Sequence, residues 1–129
     1  MEITLESHYA IRILLTLYES DERRRTLEIL EECHIPIKLG QKIVTKLVKA
    51  ELLYSVRGLN GGIEPIRKPE NISLYDVIGV TQKIKLKKCD ESIEGCKWNC
   101  NNCLLNNVIE KIKVNYLEEL RETKFSKML

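Results

Sequence analysis

Between Ile37 and Ala50 the apolar residues Leu39, Ile43, Val44, Leu47 and Val48 return at three- and four-residue steps, so they share one face of a helix. Lys38, Gln41, Lys42, Thr45, Lys46 and Lys49 fall on the other face, which makes one side core and the other basic. Gly40 costs helical stability near the start of this segment and predicts a close approach by another backbone. Upstream, Thr26 is expected to cap a short helix with Leu27, Ile29 and Leu30 as apolar positions; Ile35-Pro36 disfavours its continuation beyond Cys33. Downstream, Leu52 to Arg57 and Ile63 to Ile66 read as strands joined by Gly58-Leu59-Asn60-Gly61-Gly62, with Pro65 and Pro69 limiting the return strand to an edge position or an early end. A short helix, a tight turn, a basic helix and a glycine-tipped hairpin, in that order, form the pattern of a winged helix-turn-helix.

The flanks agree with a mainly α architecture. Leu5, Tyr9, Ile13, Leu14, Leu17 and Tyr18 place a first helix over Thr4 to Ser20, and Asp21 to Arg25 reads as a solvated charged turn. Ser73 with Asp76 three residues on has the side chains of a capping box, opening a fourth helix over Leu74, Val77 and Ile78 that frays into Lys83 to Lys88. Leu105, Val108, Ile109, Ile112, Tyr116, Leu117 and Leu120 give a terminal helix over Leu104 to Arg121, with one last turn expected after Thr123. The stripe must cover its own domain or a second copy. At 129 residues there is room for one domain, or one with a dimerisation arm, and not for two. No 18-residue apolar run and no signal-peptide start is present, so the protein is expected to be cytoplasmic.

Net charge is only +2, so any electrostatic partner must be sought in where the charges sit. From Lys38 to Lys68 seven basic residues stand against Glu51 and Glu64 alone. That local excess suits double-stranded DNA. Lys38, Gln41, Lys42, Thr45 and Lys46 would present donors to base edges and phosphates in the major groove. Arg57, beside the flexible glycines, is placed to enter a minor groove. Binding of this kind releases counterions and weakens steeply with salt.

A second signal is C-x6-C-x3-C-x2-C, running from Cys89 through Cys96 and Cys100 to Cys103. Thiolates are soft ligands that suit an iron-sulfur cluster, zinc or copper(I), and the spacing alone does not choose between them. Nearby Lys85, Lys87, Lys88 and Lys97 favour thiolate formation, which assists metal binding and oxidation alike. His8 and His34 stand singly, and lone histidines are more often surface or core residues than ligands. Cys33 reads as a small buried hydrophobe. No Ser/His/Asp order, H-E-x-x-H or phosphate-binding loop is present, and Cys100-Asn101-Asn102-Cys103 lacks the strand-to-helix context of a thiol oxidoreductase, so an enzyme is not expected.

"ITLESHYAIRILL", "IPIKLGQKIVTKLVKAELLYSVRGLNGGI", "ISLYDVI" and a late cysteine followed by "LLNNVIEKI" together resemble the Rrf-type family of bacterial winged-helix transcription regulators, which includes IscR-like iron-sulfur and NsrR-like nitric-oxide regulators. The resemblance implies a winged helix-turn-helix over 1–83, a cysteine-rich loop over 84–103 and a dimerisation helix over 104–129. It implies DNA contacts from Lys38, Gln41, Lys42, Thr45 and Arg57, and a homodimer through Leu105, Val108, Ile109, Ile112, Tyr116 and Leu120. It also implies Cys89, Cys96 and Cys103 as cluster ligands, with the fourth from Cys100 or His8, because Asn106 stands where some members carry a ligand histidine. The chain departs from the family at the wing, where Leu59-Asn60 interrupts the usual Gly-Pro-Gly-Gly-Gly, and at Leu39-Gly40-Gln41, where Tyr-Leu-Glu is usual. The function implied is a homodimeric regulator that senses iron-sulfur, redox or nitric-oxide status. The alternative is a protein-interaction regulator of cysteine metabolism, without a cluster or with a structural zinc.

Overall fold

In a computed structural model, residues 2–85, 96 and 103–129 are described. Among the described residues, five helices and one two-stranded hairpin follow in the order α1 (Leu5–Ser20), α2 (Thr26–Glu32), α3 (Ile37–Lys49), β1 (Leu53–Val56), β2 (Gly62–Pro65), α4 (Leu74–Thr81) and α5 (Leu104–Glu122), and short 3-10 turns cover Pro69–Asn71 and Phe125–Met128. This is the mainly helical winged architecture expected from the sequence. Among the described residues, no helix is long and apolar enough to cross a membrane.

α1 starts because the Thr4 side chain accepts the Ser7 amide, and it buries Ala10, Ile13, Leu14 and Leu17, one face of a 3.6-residue repeat. α2 differs from expectation at its start. Arg25, not Thr26, occupies the capping position, with no side-chain cap; Leu27 points to solvent while Ile29 and Leu30 enter the core.

The turn into α3 is built by the backbone. His34 has φ +54°, its amide bonds to the Glu31 carbonyl (3.1 Å), and the Ile35 amide reaches the Leu30 carbonyl (2.9 Å). These two bonds satisfy carbonyls that the end of α2 would leave unpaired, and Ile35 closes onto the buried Leu30 side of the helix. α3 ends the same way: Glu51 has φ +59°, its amide bonds to Val48 and the Leu52 amide to Leu47, each at 3.0 Å. Gly40 is indeed a point of close approach, but the neighbour is a side chain: a Cβ there would lie 2.4 Å from Leu30 Cδ2. That contact seats α3 against α2.

The hairpin is antiparallel, with Leu53 opposite Pro65, Ser55 opposite Ile63 and Val56 opposite Gly62. The segment before α2 is more than a solvated turn, because Arg24 pairs with Ile63 through bonds of 3.1 and 2.8 Å and so adds a rung to the wing. α4 opens with the expected capping box, the Ser73 amide donating to Asp76 Oδ2 at 2.9 Å and the Asp76 amide donating to Ser73 Oγ at 3.2 Å.

The last turn re-enters the molecule. Phe125 is fully buried, its ring edge-on to Tyr18 with centroids 5.8 Å apart, and its amide bonds to the Ile72 carbonyl. The expected turn after Thr123 therefore closes the core as well as the chain.

Candidate nucleic-acid interface

Because Ile43, Val44 and Leu47 hold α3 in the core, its other side has no freedom to turn inward. Lys38, Gln41, Lys42, Thr45 and Lys49 are exposed along it. Thr45 Oγ1 donates to the Gln41 carbonyl at 2.9 Å, which fixes its rotamer and leaves its oxygen free to accept. Lys46 differs from its neighbours: its ammonium donates to Glu6 Oε1 at 2.6 Å, so an intramolecular partner already occupies it. Arg57 is exposed just after β1, at the wing tip. The structure thus brings Lys38, Gln41, Lys42, Thr45 and Arg57 to an open surface, with Lys46 tied at its margin.

Sequence reading missed two other cations. Arg25 Nη2 donates to the Leu59 carbonyl at 2.8 Å, and Arg23 Nη1 donates to the Asn60 carbonyl at 3.2 Å, both on the wing loop. The signal available was the run Arg23-Arg24-Arg25, which carries no mark of its neighbours until the hairpin folds back. Arg24 points the other way, to Glu32 at 2.7 Å, and that hydrogen bond raises its pKa further.

The metal-ligand set is only partly described. Cys89 and Cys100 lie outside the described residues, Cys96 is an exposed free thiol, and Cys103 is a buried free thiol at the first residue before α5. His8 is exposed on α1. Among the described residues no group of three His, Cys, Asp or Glu side chains is placed to hold a metal. Cys33 is buried with Sγ 3.3 Å from Thr16 Oγ1, as expected of a core cysteine, and His34 serves the turn.

On α5, Leu105, Val108 and Ile112 are 57%, 55% and 56% exposed, whereas Leu120 belongs to the chain's own core. Ile109 and Tyr116 are half-buried between these extremes.

Residues 3–129 match the family model described as "Rrf2: Iron-dependent Transcriptional regulator". The transcriptional regulator NsrR of Oceanobacillus iheyensis is 29% identical over 126 residues, covering 95% of this chain and 85% of that protein. Among solved structures, CymR, the global cysteine regulator of B. subtilis, superposes with a TM-score of 0.77 at 21% identity, over 99% of this chain and 95% of that one. IscR of T. potens superposes at 0.76 with 22% identity, over 99% and 85%. These structural likenesses establish the shared fold; the family match, over nearly the whole chain, establishes the kinship and makes the protein a regulator and not an enzyme. The chain belongs to the Rrf2 family of transcriptional regulators.

Proposed function

We propose that this regulator binds an operator as a homodimer, with α3 in the major groove and Arg57 in the adjacent minor groove, and that its cysteine segment reports iron-sulfur, redox or nitric-oxide status. The observation that carries the DNA contacts is the row Lys38, Gln41, Lys42 and Thr45, exposed on a helix whose opposite face is locked in the core, with Arg57 exposed on the neighbouring wing. Lys46 would join them once released from Glu6. Each phosphate neutralised adds about 0.9 to the salt slope, so Lys38→Ala and Lys42→Ala should each flatten it by about one. Unchanged affinity and slope in both variants would remove α3 from the interface. A dimer formed through Leu105, Val108, Ile109, Ile112 and Tyr116 would present two such helices to a pseudo-palindromic site.

Four closely spaced thiols have the soft-donor chemistry of an iron-sulfur or zinc site, and Cys103 at the root of α5 is positioned to pass changes in that segment to the helix. An iron-sulfur cluster there would supply sensitivity to oxidants and nitric oxide. The residue that leads towards the other end of the segment is tied to α1. Gln82, the capping residue of α4, accepts the Thr4 amide at 2.8 Å and the Ser7 hydroxyl at 2.6 Å. Glu6, between those two residues, holds Lys46. One turn of α1 thus touches both the cap of α4, two residues before the cysteine segment, and the DNA-facing helix, a route by which two states of the segment would differ in DNA affinity.

The alternative is a cysteine-metabolism regulator acting through a protein partner, with free thiols or a structural zinc; its support is the fold shared with the B. subtilis cysteine regulator. Visible absorbance and metal analysis of protein purified without air separate the readings. A coloured, iron-containing protein that becomes colourless on serine replacement of Cys89, Cys96 and Cys103, with altered operator affinity, supports the cluster. Colourless protein with stoichiometric zinc, or none, supports the alternative.

A further inference from the structure

The wing loop closes as a turn from Gly58 to Gly61, with the Gly61 amide bonded to the Gly58 carbonyl at 2.9 Å. Leu59 and Asn60, its central residues, both keep negative φ, as a type I turn requires. Nothing in the loop's own side chains stiffens it: Leu59 is 91% exposed, and its position, where proline would preset φ, carries no ring. The stiffening comes from outside. Arg23, Arg24 and Arg25 run extended beside β2, so alternate side chains point to opposite sides. Arg24 reaches back to Glu28 and Glu32 on α2. Arg23 and Arg25 reach forward to the tip and hold the two central carbonyls, Arg25 on Leu59 and Arg23 on Asn60, while Arg23 Nη2 also meets Glu64 Oε1 at 3.3 Å. The base of this clamp is fixed by the paired backbone bonds between Arg24 and Ile63.

We infer that Arg23 and Arg25 are positioning residues for DNA binding: they clamp the carbonyls of the wing turn and thereby fix the direction of the adjacent Arg57, without themselves neutralising phosphate. The inference rests on the winged-helix reading above, and deepens it by naming what pre-organises the wing.

The test uses the full chain and a duplex selected by the wild-type protein from a random pool. Arg25→Ala and Arg23→Ala should each weaken binding about three- to tenfold, the range of one or two exposed charge-assisted hydrogen bonds, while the salt slope stays at its wild-type value. In the free protein the same variants should speed hydrogen exchange at the Gly61 amide. Leu59→Pro, which supplies the missing φ restraint at the second position of the turn, should restore affinity and slow exchange in the Arg25→Ala background. A slope flattened by about one per arginine, with no rescue by Leu59→Pro, would make the arginines direct phosphate contacts and overturn the clamp. Unchanged exchange and unchanged affinity would make them idle surface cations, with the same result. Should the wild type select no duplex, the DNA-binding reading fails, and the exchange measurement still decides the clamp.

Discussion

Tyr18 shows how one side chain can report on the packing of the core. Its hydroxyl donates to the Arg67 carbonyl at 2.8 Å, and burial against its surroundings pushes its pKa up to about 12, partly offset by Arg67. A phenol whose pKa is higher folded than unfolded favours the neutral, folded form. Its contribution is complete below the ordinary phenol pKa of about 10 and is lost as pH rises through about 12. Stability should therefore fall across that alkaline window, and Tyr18→Phe should flatten the fall, as followed by denaturant unfolding at stepped pH. Glu6 offers a second test at this scale. Its pair with Lys46 competes with any phosphate for the same ammonium, so Glu6→Gln should tighten DNA binding and raise the salt slope by up to about one. Weaker binding in that variant, measured by anisotropy, would show that the pair supports the interface instead.

Among the elements, the wing depends most on glycine. Gly62 has φ +148°, and a Cβ there would lie 2.3 Å from the Arg24 carbonyl oxygen, so both strain and a backbone clash oppose any side chain. Gly62→Ala should cost about 1–3 kcal/mol or detach the Arg24 rung, seen as a lower unfolding midpoint together with exposed wing amides. Much at this scale was legible in sequence because it is local. The α3 stripe, the capping box of Ser73 and Asp76, and the early end of the return strand at Pro65 each follow from residues a few positions apart. What escaped was non-local. Gly40 faces a Leu30 side chain, Arg23 and Arg25 meet a loop more than thirty residues away, and Lys46 finds Glu6 forty positions upstream. None of these partners leaves a periodic trace. Thr26 misled for a different reason: it is a good capping residue, but Arg24 is paired with the hairpin and the helix begins one step earlier.

For the molecule as a whole, the exposed Leu105, Val108 and Ile112 stripe predicts self-association. Ile112→Glu should weaken it at least tenfold in sedimentation velocity while leaving the helical circular dichroism intact, since among the described residues Ile112 is 56% exposed and lies outside the buried core. Loss of folded signal instead would place α5 in the fold of the single chain. The same helix ends in the buried Leu120 and, beyond it, in Phe125 seated among Tyr18 and Ile72. At its other end stands Cys103, the residue before its first turn. Nineteen residues at 1.5 Å each make a rod of about 28 Å, and a tilt of about 5° about an anchored foot moves the far end by about 2.5 Å. Phe125 is such a foot. If the cysteine segment signals as proposed, a displacement at Cys103 would bear on the winged body through this foot, and removing Phe125 would leave the lever without its fulcrum.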